Sequence, residues 1–376
     1  MNVLLTHEPV VNKSRAITAN RLVVHGTSME DTCDGLNDIA SDWPMERTVL
    51  LSLNGFPLDA TLIEWDLPSN TLIELPAAYL ASAEGTALAR KLTEHGTGLC
   101  VAGAGKGDEL PADIPLRFGL MDADAQSGAL QGIGVPLATG LKDSAGFEAA
   151  TAAGFAGASG WFFLNDKPTA KKPAPAAANI LRVLNLVRRG ADVHEIEEAI
   201  KHDVTLSFRL LRYVNSAAFG LAVEIQSFRH AVTMLGYDKL NKWLSVLLVS
   251  ASKAPGAQAM MQAAVARGRF MEILGESYFD KSQSDNLFIT GAFSLLDVLL
   301  GAKMDALLDN MHLPEPVMEA LSRNEGAYAP FLNLARASES DPEGFAQLAQ
   351  ELEISPQVSN RAKLIAVSFA DTLQAI

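Results

Sequence analysis

The 376-residue sequence has only two cysteines, Cys33 and Cys100, without CxxC spacing. Neither a disulfide framework nor a thiolate zinc site is indicated, and both thiols are expected to be buried or idle. No long apolar run occurs. The longest stretch, Trp243–Ala251, is interrupted by Ser245 and Ser250 and falls far short of the ~20 residues that span a bilayer. The opening residues carry Asn2, His7 and Glu8 within a very short apolar patch, unlike a secretion signal. A cytoplasmic protein without membrane association is expected. Positive charge is also scarce: residues 1–170 hold 10 Lys/Arg against 21 Asp/Glu, and residues 171–376 hold 20 against 23, which together give the net −14. Such a surface repels phosphate backbones and anionic lipid, so no nucleic-acid partner is expected and protein partners, a homodimer included, are favoured.

What is present suits two globular domains. The length exceeds one ordinary core, and 48% hydrophobic with 20% charged residues excludes global disorder. Residues 1–168 alternate short apolar runs with small-residue helical stretches. The expected strands are Leu22–His25, Thr48–Leu53, Thr61–Trp65, Thr71–Leu75, Gly98–Ala102, Leu116–Met121, Gly134–Leu137 and Gly160–Leu164. Helices are expected at Ala77–His95 and Ser144–Ala153, ended by Gly96 and Gly154. Apolar strands separated by helices point to parallel βα units, in an open sheet or part of a barrel. Residues 169–178 cluster proline and alanine without periodicity, as a semi-rigid linker does. Residues 179–376 read as a compact all-α bundle, with helix starts at Asp192, Asp203 and Ser227.

Motifs that suggest chemistry have simpler readings. The segment Gly103–Asp108 fails the phosphate-loop pattern at Cys100 and Gly107 and the dinucleotide pattern at Asp108, so it reads as a flexible turn. His202-Asp203 is an HD dipeptide, but a catalytic metal needs further placed ligands; Asp203 as a helix cap suffices. Arg209, Arg212, Arg229 and His230 read as a solvated helix face rather than DNA contacts. No nucleophile–base set stands at recognisable spacing.

The stretch 203–236, DVTLSFRLLRYVNSAAFGLAVEIQSFRHAVTMLG, resembles the core of the HDOD family, relatives of HD hydrolases that usually lack their metal ligands. Residues 288–301, FITGAFSLLDVLLG, resemble the second half of that domain as found in EAL–HDOD proteins. The resemblance singles out Asp203, Arg212, Asn215, Ser216, Phe219 and Gly220 as a family motif and candidate partner surface. In front, residues 154–168 are similar to the closing strand of EAL domains and EPVVNKSRAITANRLVVHG to the opening one.

That resemblance implies a barrel related to enzymes that cleave cyclic di-GMP with Mg or Mn held by carboxylates. Here Arg21 takes the place of the opening-strand Glu, Gly119–Asp122 lacks the lysine of Lys-Ile-Asp, and Thr139–Lys142 replaces Glu-x-Val-Glu. Arg, Thr and Lys in place of oxygen ligands do not suit a hard dication. The expectation is therefore a degenerate, partial TIM-barrel-like EAL domain before an HD-domain-like HDOD bundle, forming a signalling protein of the cyclic di-GMP pathway. No catalytic residue, metal or cofactor is expected. The alternatives are a non-hydrolysing cyclic di-GMP receptor and a residual metal phosphohydrolase centred on His202 and Asp203.

Overall fold

The computed structural model describes residues 3–26, 28–54, 58–105, 109–124, 133–165, 175–215, 225, 227–252, 256–309 and 311–372. They form two compact units, residues 1–166 with 258–260 and 333–371, and residues 167–257 with 261–332 and 372–376. The first division, between residues 166 and 167, falls just before the linker expected at 169–178, while residues 333–371 belong to the first unit and not to the helical one.

The first unit contains β1 (Leu4–Asn12), β2 (Ile17–His25), α1 (Met29–Asn37), β3 (Thr48–Asn54), α2 (Thr61–Glu64), β4 (Thr71–Pro76), α3 (Ala77–Leu80), α4 (Ala83–Glu94), β5 (Gly98–Ala102), β6 (Leu116–Asp122), β7 (Ile133–Thr139), α5 (Ser144–Ala152) and β8 (Gly157–Ser159). The eight strands close into a barrel in sequence order, so the expected partial barrel is corrected to a complete one. Strands β2 to β8 are parallel neighbours, while β1 runs antiparallel to both β2 and β8. Val10, Ala19, Leu50, Leu72, Cys100, Leu120 and Leu137 form a buried cluster from seven strands, which fills the barrel interior. Both cysteines are free and buried.

Three local expectations change. Thr61–Glu64 is a helical turn, not a strand, because the Asp59 carboxylate accepts the Thr61 N–H and starts it. The expected long helix at Ala77–His95 breaks into α3 and α4, where Ser82 caps α4 by accepting from the Gly85 N–H. The closing strand is Gly157–Ser159; Gly160, at φ 115°, ends it, and Phe162–Asn165 form a short 3₁₀ turn. There Phe162 stacks on Phe147 with centroids 5.0 Å apart.

Strand β8 is too short to cover β1, and side chains complete the seam. Beyond the Val10–Asn12 pairing, the Gly160 N–H donates to the Pro9 carbonyl and the Trp161 indole N–H to the His7 carbonyl. The Asn360 amide accepts from the Leu5 N–H and donates to the Val3 carbonyl, both at 2.8 Å, as a parallel strand residue would. Pro9 fits this seam because the N–H it lacks would face the side where β8 pairing has ended.

The second unit comprises α6 (Pro175–Arg188), α7 (Val193–Lys201), α8 (Val204–Val214), α9 (Phe228–Val249), α10 (Ala257–Gly275), α11 (Lys281–Phe293), α12 (Leu296–Leu300), α13 (Met304–Leu308) and α14 (Glu315–Ser322), with the start of α15 (Ala329–Ser340). Three residues near the start of α10, 258–260, count with the first unit. Helix α9 packs against α6, α7, α8 and α11, and α10 and α11 cross at Gly268 and Gly291. A Cβ on Gly291 would lie 2.6 Å from the Gly268 Cα, so the crossing needs both glycines. Helix α9 kinks at Gly236 (φ 71°, ψ 167°), where the sequence ends one helix at Leu235. The last residues of the expected linker, 175–178, are the first turn of α6, since proline suits the first helical position and alanine extends it. Residues 166–174 lie outside the described ones.

Residues 333–371 add to the first unit the rest of α15, α16 (Pro342–Glu351) and all but the last residue of α17 (Pro356–Thr372). Alongside Asn360, α17 presents Asp371, which accepts from the Asn20 amide at 2.8 Å and pairs with Arg47 at 3.3 Å. Asn20 in turn bonds the His7 Nε2 at 2.9 Å. No helix among the described residues is long and apolar enough to cross a membrane.

Replacing Asn360 by Ala strands the Leu5 N–H and the Val3 carbonyl and is expected to cost about 2–4 kcal/mol, measured as a lower urea midpoint. His7 gives a pH dependence. Burial, ahead of the charges of Lys363 and Arg47, pushes it down to about 3 against the hydrogen bond that His7 donates to the Asn20 side-chain carbonyl, which raises it. The unfolded chain protonates His7 near 6.5, so stability is complete above 6.5 and is lost as pH falls toward 3. Asp371, whose carboxyl burial pushes up, works in the opposite sense. The measurement is therefore the difference from His7→Gln: between pH 6.5 and about 5, wild type should lose about 2 kcal/mol more than the variant.

Candidate functional site

The C-terminal ends of the parallel strands, where barrels of this kind carry their chemistry, hold a buried polar network. Side chains alternate along each strand, so Arg21, Ser52 and Glu74 follow Ala19, Leu50 and Leu72 into the barrel one step toward that end. Because β1 runs the other way, Glu8 precedes Val10 and joins the same layer, in direct register with Arg21.

Arg21 is the centre of the layer. Its Nε donates to Glu74 Oε2 at 2.7 Å and its Nη2 to Glu74 Oε1 at 2.6 Å, a two-pronged pair, while Nη1 reaches Glu8 Oε2 at 2.9 Å. Ser52 donates to Glu74 Oε1 at 2.8 Å and Ser159 to Glu8 Oε2 at 3.0 Å. The Glu74 side chain is 4% exposed and that of Arg21 17%. Burial alone would weaken the guanidinium charge, but the bonds and charges of Glu74 and Glu8 overcome it and hold Arg21 more firmly protonated than in water. Below it, burial followed by the Glu74 charge pushes the Cys100 thiol well up, which makes it a poor nucleophile.

This arrangement has a definite chemical character. A hard dication is held by converging anionic oxygens, and here both carboxylates converge on a guanidinium instead. Seating a metal at Glu8 and Glu74 would require expelling Arg21. Two carboxylates against one cation also leave the layer net negative, which opposes a phosphodiester. Among the described residues, no group of three or more His, Cys, Asp or Glu side chains is placed to hold a metal.

The other positions singled out by the sequence lie apart from this layer. Asp122 ends β6 in register with Thr139 of β7, and its carboxylate accepts from the Asp124 N–H. A cavity of about 660 Å³ is lined by Asp122 and Asp124, and by Lys142 and Asp143 just before α5. Gly103, at φ 71°, turns the chain after β5, and residues 106–108 lie outside the described ones.

In the second unit His202 closes α7, and Asp203 caps α8 by accepting from the Leu206 N–H at 3.0 Å, with its other oxygen facing the Asn179 amide at 3.3 Å. Asn215 caps the other end of α8, accepting from the Ile225 N–H at 2.7 Å and donating to its carbonyl at 2.8 Å. Arg212 is exposed in the last turn of the same helix. Ser216, Phe219 and Gly220 lie outside the described residues. Arg229 pairs with Glu197 at 3.2 Å. Asp192 caps α7 without a reciprocal box, since Glu195 pairs with Arg189 instead.

Sequence reading placed Arg21 but missed Glu8, Ser52, Glu74 and Ser159. One signal was available for Glu74: an acid inside the apolar strand Thr-Leu-Ile-Glu-Leu must either face solvent or find a buried partner. Removing the guanidinium in Arg21→Met should cost about 3–5 kcal/mol of stability, measured by urea unfolding, because it leaves two carboxylates in the barrel uncompensated.

Comparison with known proteins places relatives on part of the chain. It is 29% identical over 211 residues to the cyclic di-GMP phosphodiesterase CdgJ of Vibrio cholerae, covering 55% of this chain and 48% of that protein. It is 24% identical over 159 residues to the uncharacterized protein YuxH of Bacillus subtilis, covering 42% of this chain and 39% of that protein. The chain thus spans less than half the length of either relative in these matches. Across the helices of the second unit, from before α6 to the end of α12, residues 173–300 match the family model of the HDOD domain.

Proposed function

We propose that this protein is a regulatory signalling protein in which the HDOD bundle is an output module for a protein partner and the barrel is a non-catalytic platform. The observation that supports the reading is the pairing of Arg21 with Glu74 and Glu8, which engages in ion pairs the carboxylates that a metal-dependent reaction would need free. The HDOD match at residues 173–300 and the similarity to a protein of cyclic di-GMP metabolism support the signalling role. Asp203 and Asn215, as caps of α8, hold the helix that presents the exposed Arg212 to a partner.

The name of the Vibrio relative favours a second reading, in which the barrel hydrolyses cyclic di-GMP. Incubating the full chain with Mn and cyclic di-GMP separates the two. The expected result is no linear dinucleotide above the protein-free rate; steady turnover by wild type would overturn the non-catalytic reading.

A further inference from the structure

Arg188 stands in the last turn of α6, largely buried, with its charge uncompensated by a carboxylate. Its Nε donates to the Asn241 side-chain carbonyl at 2.9 Å, its Nη2 lies 3.5 Å from the Ser245 hydroxyl, and its guanidinium carbon sits 5.2 Å from the centre of the Phe293 ring. These partners are neutral. Among the described residues no Asp or Glu pairs with it, and Nη1 is shielded from solvent without a hydrogen-bond partner. Burial pushes the guanidinium down to about 9, in contrast to Arg21, which two carboxylates stabilise.

Arg188 is also among the residues that line an open cavity of about 630 Å³ between α6, α9, α11 and the segment before α14. Asn241, Ser282 and Asn286 offer neutral polar groups, and Ile289, Leu313 and Pro314 offer apolar wall. The one carboxylate of the lining is Asp238, which is exposed. A buried cation with neutral partners, bordering a cavity of this size, is the arrangement that takes its counter-charge from a ligand. Apolar wall favours an organic body, and Asp238 disfavours a second negative charge.

We propose that this cavity binds a small organic monoanion, a carboxylate with an apolar body, whose charge is met by Arg188. The site goes beyond the reading of the barrel and would make the HDOD bundle responsive to a metabolite. The simpler alternative is that Arg188 merely faces the C-terminal dipole of α6, in which case added anions do nothing.

The test uses the full chain with benzoate as probe, its neutral isostere benzamide as control, and inorganic phosphate, all at matched ionic strength. Benzoate should move the Arg188 Nε–H resonance saturably and raise the Tm by about 2–4 °C at concentrations well above its Kd, while benzamide does neither. Arg188→Met should lose the benzoate response in Tm. Equal effects of benzoate and benzamide, no effect of either, or an undiminished response in Arg188→Met would overturn the proposal, as would a stronger response to phosphate than to benzoate. Should the variant fail to fold, the wild-type resonance decides. Turnover of cyclic di-GMP, which tests the barrel, is independent of this outcome.

Discussion

Arg21 and its two carboxylates set the character of the barrel. A guanidinium taken out of water is tolerated only where anionic oxygens meet it, and Glu74 is buried only because Arg21 and Ser52 occupy its lone pairs. Neither member can be removed without exposing the other to an apolar interior formed by Leu50, Leu72 and Cys100. The polar layer is thus self-consistent as a structural element. It uses in mutual pairing the oxygens that a cation-dependent reaction would require free.

The seam between β1 and β8 imposes the second constraint. A barrel closes only if each strand edge finds hydrogen-bond partners, and three residues of β8 cannot serve nine of β1. Trp161 covers the next carbonyl, and Asn360 from α17 supplies one donor and one acceptor farther along. Asn20, Asp371 and Arg47 tie the same helix to β2 and to the start of β3. The return of residues 333–371 to the first unit answers a short last strand: backbone groups left over at the seam call for side chains from elsewhere.

Much of this was legible before any coordinates. Strands β3 to β5 are short runs dominated by apolar residues, Glu74 excepted, and a parallel strand buried on both faces has that composition. Gly96 and Gly154 follow the ends of helices at positive φ, as their place after helical segments implied. Strand β1 was hidden because His7, Glu8 and Pro9 interrupt its apolar run, yet each is explained by a partner outside the strand: Asn20, Arg21 and the open seam. The pairing of Glu8 with Arg21 depends on hairpin register, which carries a bulge between Val10 and Val11. A shift of one residue would send Glu8 outward, and composition does not encode that shift. Helix α17 read as helix, but amphipathicity names a buried face without naming what buries it.

The two units treat arginine in opposite ways, and the difference separates structure from binding. Arg21 has three nitrogens engaged by carboxylates, so adding a ligand would break contacts as strong as those it made. Arg188 has neutral partners, an orphaned Nη1 and an adjoining cavity. The free energy withheld by incomplete pairing in the folded state is what an incoming anion can recover, because only a group that is better satisfied in the bound state gives differential affinity. By that argument the proposed anion site falls in the helical bundle, where a guanidinium is left to be satisfied, and not at the Arg21 layer, where it already is.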